Sequence, residues 1–192
     1  MNELRAEVGK DGHKATAKLV KLLEHGGALV FPALRAWSED KDREVRKVMA
    51  QAVAKAVDPR DPFRALFLFE LIAPLLWDAD PKIRALARRI LRAKLIPAYP
   101  EEALEILAQW ATEDQKKRVL AAQCLARLPA PMAKRAFILL RNMVRSEDEK
   151  VQRAALRSLR VWQTRNPAAV AAELRHWASD PELAKLVPFL GF

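Results

Sequence analysis

An aspartate recurs along this chain at a nearly constant interval, and that interval constrains the fold more than any other feature. The repeated residues are Asp42, Asp80, Asp114, Asp148 and Asp180, with spacings of 38, 34, 34 and 32 residues. Self-similarity at a period of roughly 20 to 50 residues is typical of arrays in which each unit packs on its neighbours. The sequence therefore predicts a repeat architecture rather than a single globular core.

The residues after each aspartate repeat as well, with apolar side chains three, seven and eleven positions later. Such intervals produce one apolar stripe along an α-helix and none along a strand. Aspartate is a favourable N-cap because its carboxylate accepts a backbone N–H of the first turn, and a proline follows Asp80 and Asp180 at N1, where no N–H is needed. Each aspartate is therefore expected to begin a helix. The stripe consists of Val45, Ile83, Val151 and Leu183 at the third position, where Lys117 is the exception; Met49, Ala87, Ala121, Ala155 and Val187 at the seventh; and Val53, Leu91, Leu125 and Leu159 at the eleventh.

A second apolar segment precedes each aspartate, and helix breakers separate the resulting pairs. An additional N-terminal helix is expected from about His13 to His25, closed by Gly26 and Gly27. The chain is therefore predicted to be all-α, with about eleven or twelve helices. The preceding segments are 29–37, 63–77, 103–110, 137–144 and 170–177, and the breakers lie at 58–62, 97–100, 129–131 and 166–167.

Residues 71–91 resemble a HEAT repeat. Pro74 would kink the first helix, Asp80 and Pro81 would form the turn, and an Ile83-Arg84 pair opens an alanine-centred second helix. The resemblance covers about residues 28–190 and implies a right-handed α-solenoid, a HEAT/armadillo-like superhelix of about five to six helical pairs. Residues 1–27 would form N-terminal capping helices, and the apolar segment 186–192 would cap or dock the other end of one continuous solenoid. The arginine typical of such repeats is present as Arg46, Arg84 and Arg118, while Gln152 departs from the pattern.

Composition and motifs exclude several functional classes. The chain is 51% hydrophobic and 30% charged, its N-terminus is polar, and no stretch approaches the roughly eighteen uncharged apolar residues of a membrane span. Cys124 lies on the apolar stripe and is expected to be buried. His13, His25 and His176 are too scattered to form a metal site, and no glycine-rich phosphate loop or nucleophile motif is present. A cytoplasmic monomer without metal or cofactor is expected.

The positive charge is concentrated in the second helices of the pairs. The net charge is +10, and residues 43–57, 82–96, 115–128 and 149–162 carry +3, +6, +4 and +3. The HEAT resemblance implies that these helices line a concave surface, which would then be basic. Polyanions fit such a surface because each Lys or Arg displaces condensed counterions from a phosphate. The candidate nucleic-acid contacts are Lys47, Arg84, Arg88, Arg92, Arg118, Arg153, Arg157 and Arg160.

Three interpretations of this charge stay open. The first is a non-catalytic module that grips nucleic-acid backbone, with DNA as the preferred ligand. The second is a scaffold for an acidic protein partner. The third is structural: the charges would be solvated, and arginines such as Arg46 and Arg118 would brace neighbouring repeats by pairing with the aspartates.

Tryptophans end the first helices of several pairs, at Trp37, Trp77, Trp110 and Trp177, and this repetition predicts a packing role. Residues 99–110 also resemble segments of the HEAT-like DNA alkylation-repair family, which implies an alkylpurine DNA glycosylase. In such an enzyme the Trp110 indole would attract a cationic alkylpurine, and Asp114 would stabilise the positive sugar. Because Asp114 belongs to the repeated set, capping also explains its presence.

Overall fold

The chain folds into helices connected by short turns, and residues 2–185 contain no strand. The computed structural model describes those residues; segment 186–192, predicted to cap or dock the array, lies outside them, as does the stripe position Val187. Two compact units divide the chain, Met1–Tyr99 and Pro100–Phe192. The all-α prediction is confirmed.

The first unit holds three helical pairs in two layers. The second helices α2, α4 and α6 pack side by side, while α3 packs on α5 in the other layer. The helices are α1 (Asn2–Val8), α2 (Gly12–His25), α3 (Gly27–Ser38), α4 (Arg43–Ala56), α5 (Ala65–Ile72), α6 (Pro81–Ile90) and the single turn α7 (Ile96–Ala98), with 3₁₀ turns at Pro62–Arg64 and Pro74–Trp77.

A π-helical turn, Leu91–Leu95, carries the chain from α6 into α7 without a break. Pro97 has no N–H to donate and its ring crowds the preceding turn, which accounts for the widened hydrogen-bonding there. The predicted breaker at 97–100 interrupts the chain only at Tyr99: helix α7 ends at Ala98, and the buried Tyr99 hydroxyl donates to the Asp58 carbonyl over 2.9 Å.

The second unit repeats the arrangement. Helix α9 packs on α11 and α10 packs on α12, so first and second helices again form separate layers. The helices are α8 (Pro100–Trp110), α9 (Gln115–Leu125), α10 (Ala133–Val144), α11 (Glu149–Arg165), α12 (Pro167–Ala178) and α13 (Pro181–Ala184), with a 3₁₀ turn at Ala130–Met132. Over residues 2–185 this gives six pairs, within the predicted five to six.

The repeated aspartates begin the second helices, as predicted. The carboxylates of Asp42, Asp80, Asp114 and Asp148 each accept from one or two backbone N–H groups of the following turn. Asp11 does the same for α2 and marks an earlier repeat that the spacing analysis missed. Local capping therefore sets the register of every second helix from α2 to α11.

The apolar stripe forms the core. Val45, Met49 and Val53 are 0% exposed, and Cys124 is buried as expected. Lys117, the exception at the third position, is half-buried and keeps its ammonium at the surface by pairing with Glu113. Burial of this stripe against the neighbouring helices is the main source of stability in such a stack.

Arginines four residues after the aspartates connect successive pairs. Arg46 donates to both carboxylate oxygens of Asp78, over 2.6 and 3.0 Å, and Arg118 donates to the Ser146 hydroxyl over 2.7 Å. Asp78 and Ser146 each lie two residues before the next capping aspartate and accept its backbone N–H. Both arginines thus connect successive pairs as predicted, but the predicted partners are wrong: Arg46 pairs with Asp78 rather than the repeated Asp80, and Arg118 donates to Ser146 rather than to an aspartate.

The Arg46–Asp78 pair is mostly withdrawn from solvent, with side chains 16% and 3% exposed. Burial disfavours the ionised form of Asp78, yet the hydrogen bonds from Arg46 and from the Asp80 backbone outweigh it, so the pKa of Asp78 lies below its usual value. The hydrogen bond to Asp78 in turn raises the pKa of Arg46. Both groups are therefore charged in the folded protein.

Asp78→Asn is expected to lower the free energy of unfolding at pH 7 by about 2 to 4 kcal/mol, because the largely buried Arg46 guanidinium loses its ionic partner. Urea denaturation followed by circular dichroism measures this. Glu39→Gln, which removes an exposed partner of Arg35, is the control and should change stability by less than about 0.5 kcal/mol.

The same pair predicts a pH dependence. The pKa of Asp78 is lower in the folded than in the unfolded chain. Its ionised form therefore contributes fully to the free energy of unfolding above the unfolded pKa near 3.8, and this contribution is lost as the pH falls through the folded pKa. Wild-type protein should therefore lose more stability between about pH 5 and pH 2 than Asp78→Asn does. Parallel stability profiles for the two proteins would contradict this assignment.

Candidate functional site

A groove of about 400 Å³ lies between α4 and α6 in the first unit. Cationic side chains dominate its lining, and the remaining positions are one amide and two aliphatic residues. The lining consists of Arg43, Lys47 and Gln51 from α4 and Lys82, Ile83, Leu86 and Arg89 from α6. We refer to it as the α4–α6 groove.

Helical geometry explains why these residues meet. Arg43, Lys47 and Gln51 recur every four residues along α4, and Lys82 and Arg89 are seven apart on α6, so each set lies on one helix face. That face is opposite the buried stripe and stays accessible when α4 packs on α6. Ile83 is buried beneath it. The groove therefore has cationic sides above an apolar base.

The two sides of the groove differ in their ion pairing. On α4, Arg43 contacts both Asp80 and Glu44, and the Lys47 ammonium lies 2.9 Å from Glu44. On α6, Lys82 and Arg89 are exposed, and neither has a carboxylate within 4 Å among residues 2–185. The α6 side thus offers the more available positive charge.

Asp80 is an acid at the edge of this site, but it is engaged in the protein. Its carboxylate accepts from the backbone N–H groups of Lys82 and Ile83, over 2.7 and 3.4 Å. The bond from Lys82 and the contact with Arg43 lower the pKa of Asp80. It stays ionised at neutral pH and helps to position Arg43.

The predicted nucleic-acid contacts of the first unit lie in different surroundings. Lys47 lines the α4–α6 groove. The Arg84 guanidinium donates to the carbonyls of Asp78 and Ala79 in the turn before its own helix, just as Arg46 donates to those of Asp40 and Lys41. Arg84 therefore has a structural role that needs no ligand.

Arg88 and Arg92 are half-buried and do not line the groove. The Arg88 guanidinium lies over the Trp77 ring, 5.5 Å from its centroid, in cation–π geometry. Successive residues of an α-helix are rotated by about 100° around its axis. Arg84 and Arg88, four and eight residues after Asp80, therefore border the apolar stripe. Lys82 and Arg89, two and nine residues after Asp80, lie on the opposite face.

In the second unit the predicted residues fall into two groups. Arg118 is half-buried against Ser146, as described above. Arg153, Arg157 and Arg160, with Lys150, share one exposed face of α11, which we call the α11 face. Arg153 also pairs with Glu149 on that face. Each unit thus carries its own basic surface, and the predicted concave arrangement of the second helices stays a prediction.

Three groove cations were missed by the sequence analysis: Arg43, Lys82 and Arg89. Their positions one, two and nine residues after an aspartate are a usable signal, because those positions point away from the stripe. Selecting basic residues that recur at i, i+4 and i+8 on the helix chose Arg84, Arg88 and Arg92 instead.

Trp110 and Asp114, the alternative catalytic residues, have structural surroundings. Trp110 is 7% exposed, and the Asp114 carboxylate accepts from the backbone N–H groups of Lys116 and Lys117, over 2.8 and 3.1 Å. Trp37 and Trp177 are buried as well, which confirms their predicted packing role. Excision of alkylated purines stays a prediction of the sequence resemblance.

Two further features bear on the function classes. Across residues 2–185, no group of three or more His, Cys, Asp or Glu side chains is placed to hold a metal ion. Within the same part of the chain, no helix combines the length and apolarity needed to cross a membrane.

Comparison with known proteins identifies the fold. No protein-family model and no curated protein matches the chain. It is similar to a solved structure of crescerin, which uses a TOG domain array to regulate microtubules in the primary cilium, with a TM-score of 0.67 and 15% identity over 99% of this chain and 88% of that one. The fold is a HEAT-like α-solenoid. An engineered protein is also similar at 20% identity over 96% of this chain and 93% of that one, but its TM-score of 0.41 is too low to inform the fold.

The different surroundings of Arg84 and Arg89 predict different effects on stability. Arg84→Ala removes charged hydrogen bonds to two turn carbonyls and should lower the free energy of unfolding by about 1 to 3 kcal/mol. Arg89→Ala, on the same helix but exposed, should change it by less than about 0.5 kcal/mol. Urea denaturation of both variants tests the assignment, and a larger loss in Arg89→Ala would refute it.

Proposed function

We propose that this protein is a non-catalytic binding module that holds nucleic-acid backbone in the α4–α6 groove, with duplex DNA as its first ligand to test. The observation that carries this proposal is the charge of the groove: four of its seven lining residues are cations, and none is acidic. Lys82 and Arg89, which lack carboxylate partners among residues 2–185, supply the initial attraction.

Counterion release gives the proposal a quantitative form. Each Lys or Arg that neutralises a phosphate frees condensed cations, and the logarithm of the affinity falls with the logarithm of salt concentration with a slope of about −0.9 per contact. Phosphate contacts by all four groove cations would give a slope of about −3 to −4, and the ion pairs of Arg43 and Lys47 with carboxylates of the protein make it less steep. The net charge of +10 favours rapid encounter with any polyanion.

The groove favours a ligand that is recognised through its phosphates. Its lining includes no aromatic side chain, and Trp37, Trp110 and Trp177 are buried in the core. Single-stranded nucleic acid is usually held by bases stacked on aromatic rings, whereas a duplex presents phosphates outward at higher charge density. Binding should therefore favour duplex over single strands and show little sequence preference.

An acidic protein is the second candidate ligand. The same cations would pair with clustered carboxylates, and the crescerin array, which shares the fold, regulates microtubules. A surface that binds an acidic protein need not prefer duplex DNA over other polyanions, since polypeptide carboxylates lack the regular spacing of a phosphate backbone. The preference for duplex DNA therefore distinguishes the two candidates.

Lys82→Glu/Arg89→Glu should weaken binding of a fluorescein-labelled 20-base-pair duplex by on the order of 100-fold at about 100 mM NaCl, because two attractive contacts become repulsive. Fluorescence anisotropy measures the affinity. The matched control is Lys134→Glu/Arg175→Glu, which makes the same charge change at exposed positions on the first helices α10 and α12. It should retain most of the binding.

The ligand classes separate when the same titration uses single-stranded DNA and polyglutamate. Salt-sensitive binding of polyglutamate without binding of either DNA would favour the acidic protein partner. Equal loss in the groove and control variants would show that overall charge, rather than the α4–α6 groove, attracts the ligand. Wild-type protein that binds none of the three would refute the proposal.

A further inference from the structure

Glu44 is the acidic side chain that contacts both α4 cations of the groove. Its carboxylate lies 3.4 Å from the Arg43 guanidinium and 2.9 Å from the Lys47 ammonium. The three side chains are between 42% and 47% exposed, so the cluster lies at the solvent side of the α4–α6 groove rather than in the core. Half of the groove cations therefore already have an internal anion.

We infer that Glu44 is an affinity- and specificity-determining residue that competes with the ligand for Arg43 and Lys47. This inference rests on the proposed function. Because Glu44 belongs to the same helix as the two cations, its effective concentration at them is high, and an isolated anion gains little by displacing it. A ligand with several closely spaced anionic groups can also engage Lys82 and Arg89 and so overcome the competition. Glu44 thus favours dense polyanions over single anions.

Asp80 also contacts Arg43 but has a different role. Its carboxylate caps α6 through the backbone N–H groups of Lys82 and Ile83, so its removal would disturb the start of the helix. The Glu44 carboxylate instead bonds to the two groove side chains, Arg43 and Lys47. Its charge can therefore be removed with little effect on the capping of either helix.

A purely structural role for Glu44 would have a different signature. An acid in the first turn of a helix interacts favourably with the helix dipole, and the ion pairs with Arg43 and Lys47 add to α4 stability. Removal of the charge would then change the unfolding transition without strengthening ligand binding. Competition predicts stronger binding, which a structural role does not.

The test compares Glu44→Gln with wild-type protein, using the labelled 20-base-pair duplex and a series of salt concentrations. Glutamine retains the size and helix propensity of glutamate and removes its charge. Glu44→Gln should bind the duplex about 2- to 5-fold more tightly, the range expected when exposed ion pairs no longer compete. The salt slope should steepen by up to about one, because Lys47 loses its carboxylate partner whereas Arg43 keeps its contact with Asp80.

Glu70→Gln is the matched control, since Glu70 is exposed on the first helix α5 and lies outside the groove lining. It raises the net charge by the same amount and should change the affinity by less than about 1.5-fold. Thermal unfolding verifies that each variant is folded, and Glu44→Ala provides a second substitution that should act in the same direction.

The outcomes separate this inference from the proposed function. Tighter binding of the duplex by Glu44→Gln than by Glu70→Gln supports the inference. The same comparison applies if wild-type protein binds the duplex too weakly to measure. Duplex binding by wild-type protein that Glu44→Gln and Glu44→Ala leave unchanged or weaken would overturn the inference and leave the proposed function standing. Absence of binding by wild-type protein and both Glu44 variants would overturn both.

Discussion

The hydrogen bond from the first helical turn to a capping aspartate is the interaction on which the rest of this structure depends. It fixes where each second helix starts, and a fixed start determines which residues face the core and which face solvent. Val45, Met49 and Val53 are buried for the same reason that Lys47 is accessible: all are counted from Asp42. Core and groove are therefore two consequences of one register.

The fold was largely predictable from the sequence because its determinants are local. Caps, the four-residue apolar interval and the buried Cys124 can all be inferred from neighbouring residues. The site was less predictable because basic side chains on one helix have different tertiary surroundings: Arg84 reaches turn carbonyls, whereas Arg89 extends into the groove. The angle on the helix indicates this difference, but the carbonyl partners of Arg84 become evident only in the folded protein.

Part of the charge at the α4–α6 groove is needed for folding. Asp80 caps a helix and also pairs with Arg43, so one carboxylate serves the register of α6 and the electrostatics of the groove. Within residues 2–185, Lys82 and Arg89 have no carboxylate partner, and the proposal of an anionic ligand depends on them.

The group that accepts the hydrogen bond from the bracing arginine is a carboxylate in the first unit and a hydroxyl in the second. Arg46 reaches Asp78, whereas Arg118 reaches Ser146, although both contacts occupy the same place in the repeat. A serine hydroxyl does not titrate, so acidification removes the charge from the first link and leaves the second chemically unchanged. Contacts at equivalent repeat positions thus give the two units different tolerance to acid.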